Sequence, residues 1–252
     1  MIDEEMPRYV YHGTDAETVQ KILKEGLQPR EATDRSNWDE NNTPSIPDHV
    51  YLTRQYPAYF GVASRDSTDE PIAIIEVDLD KLDKEMDLYP DEDFIEQALN
   101  DSRLDVEIPK FVDINFDGSM RERTKEIRDH IELFRPYWEM SLLGLGNISH
   151  KGTIPPNAIR RISIVHLPSQ LEITMLDASI NIEASVLTRE KHEAFTQWLM
   201  GEDVTVEDIV SASYFGAEVP DELHQQYEEL FNPEIIDVQE NKTYSADTKK
   251  NL

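Results

Sequence analysis

The sequence predicts an α+β protein. Strand patterns outnumber helix patterns in the first 186 residues and do not alternate strictly with them. The clearest strand signal is Ile72–Leu79, whose nearly continuous apolar start predicts a central strand covered on both faces. Neither GxGxxG nor GxxxxGK[ST] occurs, so the sequence supports neither a Rossmann nor a P-loop phosphate site.

The N-terminal elements are short and are followed by one long polar loop. Apolar residues at three- and four-residue steps predict a helix over 15–25, with Thr14 or Asp15 as its N-cap and Gly26 as its stop. Residues 28–48 are polar and contain three prolines, and a loop of this length is usually functional or disordered. The other elements predicted here are strands over 8–12 and 50–53 and a helix over 58–63.

The remainder of the chain reads as an acidic middle segment, further strands and then helices. Residues 80–120 are predicted to form solvated surface with a short helix around Phe94–Leu99, and residues 120–134 a charged amphipathic helix that Pro136 ends. Strands are predicted over 162–165, 171–176 and 179–186, helices over 189–200, 206–213 and 221–231, and a disordered tail from about residue 233.

Composition limits the classes of protein that this chain can be. The 252 residues contain no cysteine, which excludes disulfides and thiolate metal sites. No run of 18 apolar residues and no secretory signal is present, so we expect an intracellular, cytoplasmic protein. The formal charge of −28 opposes nonspecific nucleic-acid binding, and it favours solubility or a basic protein partner.

The stretch Tyr11-His12-Gly13-Thr14 has the residue types of a nucleotide site at a strand end. The His12 ring can hydrogen-bond a ligand, Gly13 lets a ligand approach the backbone closely, and Thr14 can cap the helix after it. A strand-end histidine satisfied by local backbone is the structural alternative.

The order of several such motifs resembles the ADP-ribosyltransferase superfamily, in the His–Tyr–Glu branch of poly-ADP-ribose polymerases and diphtheria-like toxins. The resemblance covers about residues 8–166, with residues 84–135 looking like an insertion. The motifs that carry it are Tyr11–Thr14, Ile22–Pro29, Val50–Thr53, Ala58–Ala63, Ile72–Leu79 and Gly152–Ile159. It implies an NAD-binding domain over 1–186 with a split, mostly antiparallel β core, a helical appendage over 187–232 and a tail over 233–252.

The same resemblance implies residue roles around NAD, which serves as co-substrate. His12 would bind a ribose hydroxyl, the Gly13 backbone the nicotinamide carboxamide, and Thr14 would support His12. Tyr51 would stack on the nicotinamide ring with Tyr59 or Phe60 opposite, as suits a flat cation. Arg30, Arg54 and Arg65 are candidates to meet the pyrophosphate.

The third position of the pattern departs from the family. The family's glutamate would fall near Asn147, and no carboxylate lies between Asn147 and Thr153. A carboxylate there orients a ribose hydroxyl and counters positive charge as the nicotinamide–ribose bond breaks. The departure allows transfer with weaker activation of the acceptor, a glutamate contributed from elsewhere such as Glu139, or loss of activity. His150 is a further candidate, as a base or as a second ribose contact.

The resemblance therefore implies an NAD-dependent mono-ADP-ribosyltransferase that releases nicotinamide and modifies a macromolecule. The acidic surface favours a protein acceptor over nucleic acid. The alternatives are an inactive, acidic binding or inhibitory protein on the same scaffold, and an NAD glycohydrolase or RNA 2′-phosphotransferase. No metal site is predicted.

Overall fold

A single antiparallel sheet organises the part of the chain that the structure describes. The structure is a computed structural model and describes residues 5–33, 45–64, 67, 70–101, 106–107, 118–166, 186–204 and 233–245. The strands are β1 (Tyr9–Asp15), β2 (His49–Thr53), β3 (Ile72–Asp78), β4 (Leu88–Pro90), β5 (Asn147–Lys151), β6 (Ile159–Val165), β7 (Glu234–Asp237) and β8 (Lys242–Ser245). Their order is β4-β5-β2-β1-β3-β6-β7-β8.

The helices lie between these strands in sequence, and the combination confirms the α+β class. They are α1 (Val19–Glu25), α2 (Arg30–Thr33), α3 (Pro57–Ser64), α4 (Glu92–Asn100), α5 (Met120–Asp129), α6 (Ile131–Phe134), α7 (Trp138–Gly144) and α8 (Val186–Leu199). Short 3₁₀ turns lie at Ala16–Thr18, Leu79–Lys81, Arg135–Tyr137 and Pro156–Ala158. The predicted helix over 120–134 is divided at His130, whose φ of −127° and ψ of 20° are not helical.

Strand β3 is the central strand that the sequence predicts. All seven of its residues are buried, and it pairs with β1 on one side and β6 on the other. Ile72 and Ile74 belong to one apolar cluster, and Ala73 and Ile75 to another. Because successive side chains of a strand point to opposite faces, both faces of β3 are covered.

The acidic segment after β3 contributes to the core, so the prediction of a solvated surface over 80–120 is wrong for β4 and α4. Tyr89 and Ile95 are almost fully buried and form a third apolar cluster with Ile127 and Phe134. The many acidic residues hide a regular apolar face on α4, where Phe94, Ile95 and Ala98 recur at helical spacing.

One C-terminal prediction is wrong. Residues 233–245 are not a disordered tail, because β7 and β8 form a hairpin whose first strand pairs with the edge of β6 and buries Ile235. Phe195 and Leu199 of α8, together with Met200, pack against the β1–β3–β6 part of the sheet, so this part of the predicted helical appendage covers the sheet. The predicted strand over 171–176, the helices over 206–213 and 221–231, and residues 246–252 lie outside the described residues, as does the strand over 179–186 except for Val186, which begins α8.

Among the described residues, no helix is long and apolar enough to cross a membrane.

Candidate functional site

The site predicted from the sequence lies where the sheet is least complete, between β1 and β2. These strands share a single ladder pair, Tyr11 opposite Thr53, whereas β1 and β3 pair along seven residues. Next to that pair, the ring nitrogen Nδ1 of His12 lies 2.9 Å from the Tyr51 carbonyl oxygen. A histidine side chain thus joins the two strands beyond the point where their ladder stops.

The partner of His12 determines which ring nitrogen carries the proton. A carbonyl oxygen only accepts hydrogen bonds, so Nδ1 is the protonated nitrogen that donates to Tyr51. Burial lowers the pKa of His12, and the bond to Tyr51 opposes that shift only in part. The neutral ring therefore leaves Nε2 as an acceptor, which suits a hydroxyl donor.

Gly13 is required by the packing of β1 against α3. A Cβ built on Gly13 would lie 1.7 Å from the Pro57 carbonyl oxygen and 2.6 Å from the Gly61 nitrogen. Helix α3 can therefore approach β1 closely only because this position has no side chain.

Thr14 does not start the next helix. It lies within β1, opposite Ala73, and the strand continues to Asp15. The Asp15 carboxylate accepts from the Thr18 N–H at 3.1 Å and caps the 3₁₀ turn that leads into α1. Of the two caps that the sequence left open, Asp15 is the one used.

Tyr51 is half-buried, and its hydroxyl is hydrogen-bonded to a residue of the inserted segment, residues 84–135. The hydroxyl lies 2.9 and 2.8 Å from the two carboxylate oxygens of Glu92, to which it donates, and it accepts from the Ile46 N–H at 3.0 Å. Arg128 Nε donates to Glu92 Oε1 at 2.8 Å. Burial and the charge of Glu92 raise the pKa of Tyr51 well above its usual range, so the phenol remains a donor.

The surroundings of Glu92 are crowded with acids. Asp91 caps α4 by accepting from the Asp93 N–H at 2.9 Å. Burial first, and the Glu92 charge second, raise the pKa values of both Asp91 and Asp93. The Arg128 guanidinium stands beside Glu92 as a countercharge.

Tyr59 and Phe60, predicted to face Tyr51 across a ligand, lie on α3. Both are half-buried, and their ring centroids are 5.4 Å apart in an edge-to-face contact. Each is on the helix that packs against Gly13, which places them beside β1.

Asn147 is the first residue of β5, the position at which the resemblance implies a glutamate. It pairs with Thr53, which pairs on its other side with Tyr11, so the three form one row across three strands. With strands about 4.8 Å apart, Asn147 lies roughly 10 Å from Tyr11. Its Oδ1 is buried and has no hydrogen-bond partner within the described part of the chain.

Gln55 joins this region, and sequence reasoning did not predict it. Its Nε2 donates to the Leu145 carbonyl at 3.1 Å and lies so close to Gly146 that a Cβ there would be 2.3 Å away. Like the Oδ1 of Asn147, the Oε1 of Gln55 is buried and has no hydrogen-bond partner among the described residues. A lone glutamine in a loop has no spacing or periodicity that could have singled it out.

His150 is not brought together with Tyr51 and Asn147. Alternation along β5 places Asn147 and Ser149 on one face and His150 on the other, opposite Val50 and beside the main apolar cluster. Alternation along β1, where Tyr11 is opposite Thr53, places His12 on the same face as His150, so His12 contacts the backbone of Tyr51 and not its ring. Its Nδ1 is 3.2 Å from the Gly152 carbonyl, and burial lowers its pKa. Its surroundings are those of a satisfied core histidine.

Two arginines and one glutamate complete the candidates that the structure describes. Arg30 is half-buried at the start of α2, and Arg54 pairs with Glu193 of α8, 2.6 Å from Nε to Oε1. Glu139, the carboxylate expected from elsewhere, is exposed on α7. Arg65 lies outside the described residues.

Two separate motifs of the resemblance meet in the structure. Leu27 and Ile154 form a β-bridge through two N–H···O bonds of 3.0 Å. Gly26, with φ of +83°, would place a Cβ 2.1 Å from the Ile154 carbonyl oxygen, which explains the glycine at the end of α1.

Within the described ranges, no group of three histidine, aspartate or glutamate side chains could hold a metal ion.

Comparisons with known proteins do not assign a family. No protein-family model matches the sequence, and no curated protein matches it significantly. Among solved structures, EcPltA is a weak match, with a TM-score of 0.34 and 9% identity, over 67% of this chain and 82% of that one. A likeness this weak carries no argument about function.

Proposed function

We propose that this protein is an NAD-dependent mono-ADP-ribosyltransferase whose acceptor is a protein. The observation that carries the proposal is the 2.9 Å hydrogen bond from the His12 ring nitrogen Nδ1 to the Tyr51 backbone carbonyl oxygen, at the point where β1 and β2 stop pairing. The resemblance implies these two residues for NAD, and they are 39 positions apart in the sequence.

His12 binds a ribose hydroxyl of NAD. Its Nδ1 is committed to the Tyr51 carbonyl, and its Nε2 is an acceptor on a neutral ring. A ribose diol supplies the matching O–H donors.

The nicotinamide group lies between the backbone of Gly13 and the ring of Tyr51. The carboxamide needs one donor and one acceptor, which a backbone peptide group supplies without a side chain. The Tyr51 hydroxyl is already bonded to Glu92, so the ring is held in one orientation and its face is what the ligand contacts.

Asn147 takes the third position and limits the chemistry. In the reaction the nicotinamide–ribose bond breaks, nicotinamide leaves with the bonding electrons, and the acceptor's nucleophile bonds to the ribose carbon and releases its proton to solvent. The Asn147 carboxamide can orient a ribose hydroxyl, but it can neither take the acceptor's proton nor counter the positive charge that develops. We therefore expect slow transfer to an acceptor that is nucleophilic without activation.

An inactive, NAD-binding scaffold is the second candidate. It is favoured by the same Asn147 and by Glu92, whose oxygens are occupied by Tyr51 and Arg128. Such a protein would bind NAD or a basic partner without turnover.

The test is incubation of the purified protein with labelled NAD and a cell lysate. We expect label on protein with the parent chain and not with His12→Ala, while His166→Ala, a change at an exposed histidine, behaves as the parent. Asn147→Glu should raise transfer about 10-fold or more if a carboxylate is what the site lacks.

Other outcomes separate the alternatives. Free ADP-ribose without labelled protein indicates a glycohydrolase. NAD binding without turnover, in the parent and in Asn147→Glu alike, indicates the inactive scaffold. No NAD-induced thermal shift contradicts both.

A further inference from the structure

The inserted segment contacts Tyr51 through a buried carboxylate. Helix α4 begins with Glu92, only 4% exposed, and its carboxylate receives the Tyr51 hydroxyl. Arg128, on α5, holds the same carboxylate at 2.8 Å. The Tyr51 ring is thereby attached to a pair of helices that is distant from it in sequence.

We propose that Glu92 and Arg128 are positioning residues that orient the Tyr51 ring for NAD, so that residues 84–135 tune NAD affinity. The inference rests on the proposed function, since the Tyr51 ring is part of the same proposed NAD site.

The geometry favours positioning over catalysis for Glu92. Its two oxygens accept from Tyr51 and Arg128, and its side chain is 5% exposed, so no acceptor reaches it. The Tyr51 hydroxyl donates to the buried carboxylate and accepts from the Ile46 N–H, so it is fixed both as a donor and as an acceptor. The ring can then turn little about its side-chain bonds, and a preorganised aromatic wall loses less entropy when a ligand stacks on it.

The same helix pair provides a matched control. Glu96 and Arg123 form a second ion pair between α4 and α5, 2.5 Å apart, with side chains 7% and 17% exposed. The Glu92–Arg128 pair is 5% and 17% exposed. Glu96 also receives Asn100, but no hydrogen bond described for it involves Tyr51. Glu92→Gln and Glu96→Gln therefore remove equivalent charges from one interface, and only the first alters the contact with Tyr51.

The test measures NAD affinity by titration calorimetry for four chains: parent, Glu92→Gln, Glu96→Gln and Tyr51→Phe. We expect the dissociation constant for NAD to rise about 5- to 10-fold in Glu92→Gln and Tyr51→Phe, because a ring that is no longer restrained at its hydroxyl must be ordered when NAD binds. Tyr51→Phe combined with Glu92→Gln should give little further loss, because both changes remove one contact. Glu96→Gln should bind NAD as the parent does.

Turnover separates a positioning role from a structural one. Where the parent transfers ADP-ribose, Glu92→Gln should raise KM for NAD and leave kcat nearly unchanged, because orienting the ring serves binding of the ground state and the transition state alike.

Equal NAD affinity in Glu92→Gln and Glu96→Gln, with the parent binding NAD, overturns the inference and leaves the proposed function standing. Absence of NAD binding in the parent overturns both. If Glu92→Gln fails to fold, Tyr51→Phe, which keeps every charge of the cluster, decides the matter by the same affinity measurement.

Discussion

The two parts of the sheet on either side of β1 are stabilised by different means. On one side, β3 and β6 bury mostly aliphatic side chains, and the buried Glu76 and Arg161 satisfy each other through two hydrogen bonds. On the other side, β2, β5 and α4 bury polar and ionisable groups, among them His49, Ser149 and Glu92. The candidate site lies at the boundary between them.

In the polar part of the sheet, hydrogen bonds fix the direction in which side chains point. Apolar packing tolerates substitutions that conserve volume, and the hydrophobic effect itself has no direction. Hydrogen-bonded networks in a low-dielectric interior are directional and costly to leave incomplete. The Tyr51 hydroxyl and the His12 ring both belong to such networks, so the groups proposed to meet the ligand are the ones with fixed directions.

The largest effect is expected from breaking the ion pair within the apolar part. Arg161→Met should lower the free energy of unfolding by about 3–5 kcal/mol, because Glu76 is 1% exposed and would lose its main countercharge. Chemical denaturation measures this. Lys84→Met, which removes an exposed ion pair with Asp80, should cost less than about 1 kcal/mol. Similar costs for the two variants would contradict the distinction between buried and exposed pairs.

A comparable effect is expected at the contact between β1 and α3. Gly13→Ala should cost about 3 kcal/mol, because the new methyl group would collide with the Pro57 carbonyl oxygen and backbone must move. Gly152→Ala is the control, since φ there is +76° but no atom lies within 4 Å of the new Cβ. It should cost about 1 kcal/mol, from backbone strain alone. Thermal unfolding of both variants distinguishes collision from strain.

A pH-dependent effect is expected from His192 on α8, whose ring is 5.2 Å from Tyr56. Burial lowers the pKa of His192 to about 4, below its ordinary value of 6.5. The unfolded chain therefore takes up this proton first, and the folded state loses stability as the pH falls from about 6.5 to about 4. His192→Phe should remove on the order of 2 kcal/mol of that loss.

The measurement for His192 is the unfolding free energy of parent and variant at pH 7 and pH 4.5. The difference between the two pH values should be smaller in His192→Phe than in the parent. An unchanged difference would mean that the pKa of His192 is not lowered by folding.

The smallest effect concerns the start of the helix after β1. Asp15→Ala should cost about 1 kcal/mol through loss of the cap on the Thr18 N–H. Thr14→Ala, at the neighbouring residue within β1, should cost less because it removes no cap hydrogen bond. Circular dichroism during thermal unfolding compares them, and the reverse order would restore Thr14 as the cap.

The sequence predicts those features of the fold that depend on local pattern. The apolar run over Ile72–Leu79 predicted a strand covered on both faces, and Gly26 was predicted as the end of α1. The prediction of a disordered tail from residue 233 is wrong because two apolar residues, Ile235 and Ile236, are too few to indicate a strand. They form a strand by pairing with β6. The burial of α4 was missed because its acidic residues dominate its composition.

The α+β class and the central strand can be read from the sequence alone, because they depend on periodicity. His12 and Gly13 are candidates by residue type, and Tyr51 is a candidate through the resemblance. The arrangement of those groups is decided by tertiary structure: the single ladder pair between β1 and β2, the bond from His12 to the Tyr51 carbonyl, and the Tyr51 hydroxyl on Glu92. These contacts join positions 39 and 41 residues apart. No periodic pattern in the sequence indicates contacts over these separations, because strand pairing and burial bring the groups together and local propensity does not.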